Sequence, residues 1–130
     1  MRTLFKSTGI VRYGNTNLVL DVDQSIVNYY QGLLPKSIKP NPQKYNAHIS
    51  VVRKEIPPRM DLWGKYAGEE VEFEYAHDIR SGAVYYWIDA FSKRLEEIRE
   101  ELGLEVSSPY ITPPEGYRHT WHITIGNIKE

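Results

Sequence analysis

Two short segments carry the residues of this chain that could do chemistry: His48-Ile49-Ser50-Val51 and His122-Ile123-Thr124-Ile125. Each reads imidazole, apolar, hydroxyl, apolar. Side chains on a β-strand alternate between faces, so His48 and Ser50 share one face of their strand, and His122 and Thr124 share one face of theirs. The aliphatic neighbours then point the opposite way, into a core. Brought to one cleft, two imidazoles and two hydroxyls suit a phosphodiester. One neutral ring takes a proton from an attacking hydroxyl while the other, protonated, gives one to the leaving oxygen. Histidine titrates near neutrality, so both states are accessible. Ser50 and Thr124 supply donors for the non-bridging phosphate oxygens, where transition-state charge concentrates. This chemistry calls for no metal and no other cofactor, and none is expected. A single His-x-Ser in a strand is commonplace; two copies, each in an apolar strand, are not.

The remaining histidines read differently. His119 and His122 form an H-x-x-H, a metal-ligand spacing on a helix. On a strand, positions three apart face opposite ways, which disfavours shared ligation. His77, beside Asp78, reads as a solvated turn residue.

The elements around the two motifs follow from pattern. TGIVRY (8–13) and NLVLDVD (17–23) flank Gly14-Asn15 and read as a hairpin. Asp23 is a candidate N-cap for a helix whose apolar face is Ile26, Val27, Tyr30, Leu33 and Leu34, ended by Pro35. A Pro-rich loop (35–46) leads to the strand AHISVV (47–52). EEVEFEYA (69–76) alternates acid with apolar and reads as a strand with one wet face, and AVYYWIDA (83–90) as the next strand. Phe91, Leu95, Ile98 and Leu102 recur at helical spacing before Gly103, a candidate C-terminal glycine. A second Ser- and Pro-rich loop (107–116) precedes the strand RHTWHITIG (118–126). The order strand, helix, loop, strand therefore occurs twice, in 17–52 and in 83–126. This predicts a two-lobed α+β domain, duplicated and with a central cleft between the lobes.

Composition bounds the function. With 130 residues, 41% of them hydrophobic, the chain reads as a single domain over 1–130. A net charge of −1 excludes a uniformly basic nucleic-acid coat. The balance is uneven, +6 over residues 1–54 and −7 over 55–130, and a basic first half attracts an anionic ligand. With no cysteine in the sequence, disulfides, thiolate metal sites and cysteine nucleophiles are excluded. No apolar run approaches the ~20 residues of a membrane span, and the first residues carry no signal-peptide block, so no membrane partner and a cytoplasmic location are expected.

The paired His-x-Ser/Thr strands in a duplicated domain resemble the two-histidine (2H) phosphoesterase superfamily. The stretches NPQKYNAHISVVRK (41–54), YYWIDAF (85–91) and HTWHITIGN (119–127) are similar to a phage branch of it. That branch includes Swiss-army-knife RNA-repair-like proteins and the phage anti-CBASS nucleases, which cleave the cyclic oligonucleotides bacteria use as an antiviral alarm. The resemblance implies that His48 and His122 are the catalytic pair, with Ser50 and Thr124 as their phosphate-binding partners. It also implies that Tyr13 and Trp87 bind substrate by stacking on its bases, in a host bacterial cytoplasm if the chain is phage-encoded. The first motif has Ser where many relatives have Thr, and the hydroxyl is kept. The chain ends four residues after Gly126, so a C-terminal lid of the kind relatives carry is not expected. Arg53 has the wrong parity to share a face with His48 unless the strand twists or ends first; a phosphate contact from the strand end stays open to it, and it is kept out of the catalytic set.

The expected function is a metal-independent phosphodiesterase that opens the 3′–5′ linkages of cyclic di- or trinucleotides. Two alternatives stand beside it: a 2′,3′-cyclic phosphodiesterase acting on RNA ends, and a nucleotide-binding sponge without catalysis. Long RNA calls for an extended basic track. No clustered basic helix is present, which favours a small cyclic oligonucleotide ligand over long nucleic acid.

Overall fold

Alternating apolar and polar residues build the larger part of this molecule's regular structure as β-strand, and those strands close on themselves. In a computed structural model the chain is described over residues 3–14, 16–35, 37, 46–82, 84–107 and 112–127. The strands are β1 (Leu4–Tyr13), β2 (Leu18–Asp21), β3 (His48–Val52), β4 (Glu70–Ala76), β5 (Arg80–Ser81), β6 (Tyr85–Phe91) and β7 (Trp121–Asn127). Two short helices, α1 (Gln24–Gln31) and α2 (Lys93–Glu101), follow β2 and β6. The sheet order is β4-β1-β2-β3-β7-β6-β5, every neighbour antiparallel. β4 also pairs with β6 through Glu74–Phe91 and Tyr75–Ala90. That last pairing joins the ends of the sheet into a closed six-stranded antiparallel barrel, with β5 lying outside on β6.

The expectation of a two-lobed α+β domain is therefore corrected. Strand, helix and strand do recur in order, as β2-α1-β3 and β6-α2-β7. The two halves do not form separate lobes, because β3 bonds directly to β7 and β4 bonds to both β1 and β6. Local periodicity finds strands and their wet faces. It carries no signal for which distant strand completes the ring. The acidic strand 69–75 accordingly has no open edge: its glutamates Glu70 and Glu72 face water while Val71 and Phe73 are buried inside.

The barrel interior is one hydrophobic core, with Leu18, Leu20, Ile49, Phe73, Ile88, Ile123 and Ile125 among its fully buried side chains. Each helix packs against it by its apolar face. Asp23 caps α1 by accepting from the Ser25 N–H at 2.9 Å, and Ser92 caps α2 at Leu95. Gly103, at φ +82°, follows the α2 cap residue Leu102 in a conformation that side-chain-bearing residues resist. The stretch near Met60 forms a 3₁₀ turn, Met60–Leu62. Most of the loop read at 35–46 and residues 108–111 of the loop read at 107–116, together with Asn15 and Ala83, lie outside the described residues.

What fixes the site is how the helices grip β3 and β7. The Gln24 side chain of α1 accepts from the Ala47 N–H at 2.9 Å, just before β3. The Gln31 amide donates to the Ile125 carbonyl of β7 at 2.8 Å. From α2, Arg99 donates to the Val51 carbonyl at 2.8 Å and forms two bonds to the Glu55 carboxylate. The Glu96 carboxylate accepts from the N–H groups of Arg118 and His119 at 2.8 and 3.2 Å, where the chain enters β7. Glu96 and Arg99 are both buried, and both are spent on backbone groups that a loose loop would leave unpaired. Both histidine strands are thus held at each end. Among the described residues, no helix is long and apolar enough to cross a membrane.

Candidate active site

The two histidine motifs meet because β3 and β7 are neighbours. Ile49 and Ile123 are direct partners across that antiparallel pair, both fully buried in the barrel. Their sequence neighbours must therefore point outward. One step along the register, Ser50 stands opposite His122, and His48 stands opposite Thr124. Directly opposed residues have Cβ atoms about 5 Å apart, so the four polar side chains form one patch on the outer barrel wall.

The flanking strands extend the patch. On β6, Asp89 is the partner of His122 and Trp87 the partner of Thr124. The Trp87 and His122 rings lie 5.4 Å apart, tilted by 37°. Arg80 of β5 is opposite Trp87, and its Nε donates to Asp89 Oδ2 at 2.6 Å. On the far side, Asp21 of β2 is opposite His48 and is itself bound by two hydrogen bonds from Arg12.

A cleft of about 460 Å³ opens over this patch. His48, Ser50, His122, Thr124 and Trp87 line it, which brings together five of the six residues singled out from the sequence. Arg53 is exposed and lines it too: β3 ends at Val52, so the strand parity that would have turned Arg53 away from His48 no longer applies there. Tyr13 is elsewhere: its ring meets Trp63 edge-on at 4.8 Å and packs against the core, and it does not line this cleft. Sequence reasoning passed over Tyr85, Thr120 and Trp121 and weighed His119 only as a metal ligand; these four complete the walls. Tyr85 and Trp87 share strand parity, which was a usable signal. The others depend on how Glu96 folds the entrance to β7, which no local pattern announces.

Protonation follows from surroundings. The Nδ1–H of His48 donates to the Asn46 carbonyl at 2.7 Å, since a carbonyl can only accept. In the neutral ring this leaves the lone pair on Nε2. His122 keeps an edge open to the cleft, yet the wall around it removes enough water to lower its pKa. The negative charge of Asp89 pulls that pKa back up, and Arg80 pushes it down. His119 is driven down to about 4 by burial first and by Arg99 second, so it is neutral at pH 7. Its ring lies 4.3 Å from that of Trp121. The indole N–H groups of Trp87 and Trp121 have no hydrogen-bond partner among the described residues. His77 pairs with Asp78 at 3.5 Å, away from the cleft. Among the described residues, no group of three or more His, Cys, Asp or Glu has the geometry of a metal site.

An outward patch with two imidazoles, two hydroxyls and a nearby guanidinium can bind a phosphate and move protons on either side of it. No protein-family model matches the sequence, and neither a curated protein nor a solved structure matches it.

Proposed function

We propose that the β3–β7 cleft is the active site of a phosphodiesterase that opens cyclic di- or trinucleotides by histidine acid–base catalysis. The observation that carries this reading is the Ile49–Ile123 register, which sets His48, Ser50, His122 and Thr124 side by side on one face. His48 is the general base, because its Nδ1 is committed to Asn46 and Nε2 is the nitrogen left to accept a proton. It takes the proton of the attacking ribose 2′-hydroxyl, or of water, as the new P–O bond forms. His122 is the general acid and protonates the departing ribose oxygen as the old P–O bond breaks, so the ring opens to a linear product. An arriving phosphodiester charge favours the imidazolium form of His122, which supplies that proton. Ser50 and Thr124 donate to the non-bridging oxygens, Arg53 adds positive charge at the rim, and Trp87 offers a ring for a base.

The resemblance of both motifs to two-histidine phosphoesterases supports the same reading, and the phage anti-CBASS branch of that superfamily supports cyclic oligonucleotides as the substrate. A cleft of about 460 Å³ is within the ~300–1,000 Å³ of small-ligand sites. The test is incubation with cyclic dinucleotides, cyclic trinucleotides and 2′,3′-cyclic nucleotides in the presence of EDTA, with products separated by chromatography. Linear products from a cyclic oligonucleotide are expected. Opening of only the 2′,3′-cyclic ends would move the site to RNA-end processing, and tight binding without products would make it a sponge.

A further inference from the structure

One ionic pair lies against the cleft without lining it. Asp89 is completely buried, and a buried carboxylate needs a partner to remain ionised. Arg80 is that partner, at 2.6 Å, reaching in from β5, a two-residue strand whose described contacts are with β6. The barrel closes through the β4–β6 pairing, in which neither residue of the pair is a register partner. What it does face is His122, the direct cross-strand partner of Asp89. Trp87, one pleat along from Asp89, lays its ring beside the same imidazole.

We infer that Asp89, clamped by Arg80, is the positioning residue of His122: it fixes the imidazole against β6 and supplies the negative charge against which its proton is held. This rests on the reading of His122 as a general acid. The titratable and charged groups facing His122 are few. Asp89 and Arg80 approach from β6 and β5, His48 lies diagonally on β3, and His119 and Arg53 stand at the rim. Of these, Asp89 alone carries negative charge; Asp21, on the far side of His48, is taken up by Arg12. Removing it leaves His122 facing only neutral or cationic groups, so the imidazolium becomes harder to form. Removing Arg80 as well takes away the opposing cation and restores part of the loss. The lowered pKa of His122, set by burial and then by Asp89 and Arg80 in opposite senses, agrees with this balance.

The test is an NMR titration of the histidine ring signals in the intact protein, without substrate, for the parent, Asp89→Asn and the double variant Arg80→Gln/Asp89→Asn. The His122 midpoint should fall in Asp89→Asn and lie between that value and the parent's in the double variant. Should the single substitution fail to fold, the double variant decides alone, because it leaves no unpaired buried charge. A double-variant midpoint below the parent's supports the inference. An unchanged midpoint in Asp89→Asn, or in the double variant where the single one does not fold, overturns it. In parallel, kcat/KM for the opened cyclic oligonucleotide at pH 7 should drop about tenfold in Asp89→Asn, because the acid then holds its proton less tightly. The two readouts separate the failures. A shifted midpoint in a protein that cleaves nothing would sink the phosphodiesterase reading and leave the Asp89–His122 coupling standing.

Discussion

Ser50 and His122 stand opposite each other across the β3–β7 ladder, one residue away from the buried Ile49–Ile123 pair that sets their register. In the proposed mechanism this puts a donor for a phosphate oxygen next to the imidazole that meets the leaving oxygen. Ser50→Ala and Thr124→Ala should each slow turnover about 10- to 100-fold, as expected for a lost hydrogen bond to a charged oxygen. Steady-state rates on the cleaved cyclic oligonucleotide check this. Rates equal to the parent's in both variants would remove the hydroxyls from phosphate binding.

The pH profile should be asymmetric between its two kinetic constants. His122, the proposed acid, has a lowered pKa in the free protein, so kcat/KM should begin to fall as pH rises at a point below the ordinary histidine value of 6.5. In the complex the phosphate charge favours imidazolium, so the matching limb of kcat should lie at higher pH. Coincident limbs in the two profiles would contradict the proposed role of the phosphate in charging His122.

His119 gives the fold an acid sensitivity with a defined window. The unfolded chain binds a proton there near pH 6.5, whereas the folded site resists it down to about 4. The unfolded state therefore takes up more protons across that interval, and stability drops as pH falls through it, levelling off below about 4. The contribution at stake is ~2–3 kcal/mol. Urea unfolding at pH 7 and pH 4.5 should show a steeper loss for the parent than for His119→Gln. Equal losses would mean that His119 titrates normally.

Tyr13 and Trp87 should separate stability from binding. Tyr13 packs on Trp63 and the core, away from the cleft. Tyr13→Ala should cost ~1–3 kcal/mol of stability, from the lost aromatic contact and burial, with little change in ligand affinity. Trp87→Ala should instead weaken binding, since a stacked base contributes ~1–3 kcal/mol. Calorimetry with a His48→Ala background and thermal melts of both variants distinguish the two. A large affinity loss in Tyr13→Ala would return that ring to the site.

The candidate site was more legible in the sequence than the fold around it, and the reason is the range of the interactions. Period-two alternation in His48–Val51 and His122–Ile125 is a local property, so it correctly separated the polar faces from Ile49 and Ile123. Asp23 as a cap and Gly103 at the end of α2 are equally local. Closure of the barrel depends on β4 meeting both β1 and β6, a pairing between distant segments that no nearby residue encodes. Glu96 and Arg99 lie in a charged helix and look solvated in sequence, yet both are buried on the backbone of the histidine strands. Asp89, in an apolar run, gave no sign that it would face His122. Tyr13 sits just before a hairpin turn and looked accessible, and only the packing of Trp63 shows where its ring goes.

The most direct test of the central claim is the turnover of a cyclic oligonucleotide by His48→Ala, His122→Ala and the double variant, all shown folded by their amide spectra. If the two imidazoles act as base and acid on one phosphate, each single substitution should lower kcat by ~10²–10⁴-fold. The double variant should then fall little further than the worse single one, because residues acting as a unit are not additive. Near-parental turnover in either single variant would contradict the two-histidine mechanism.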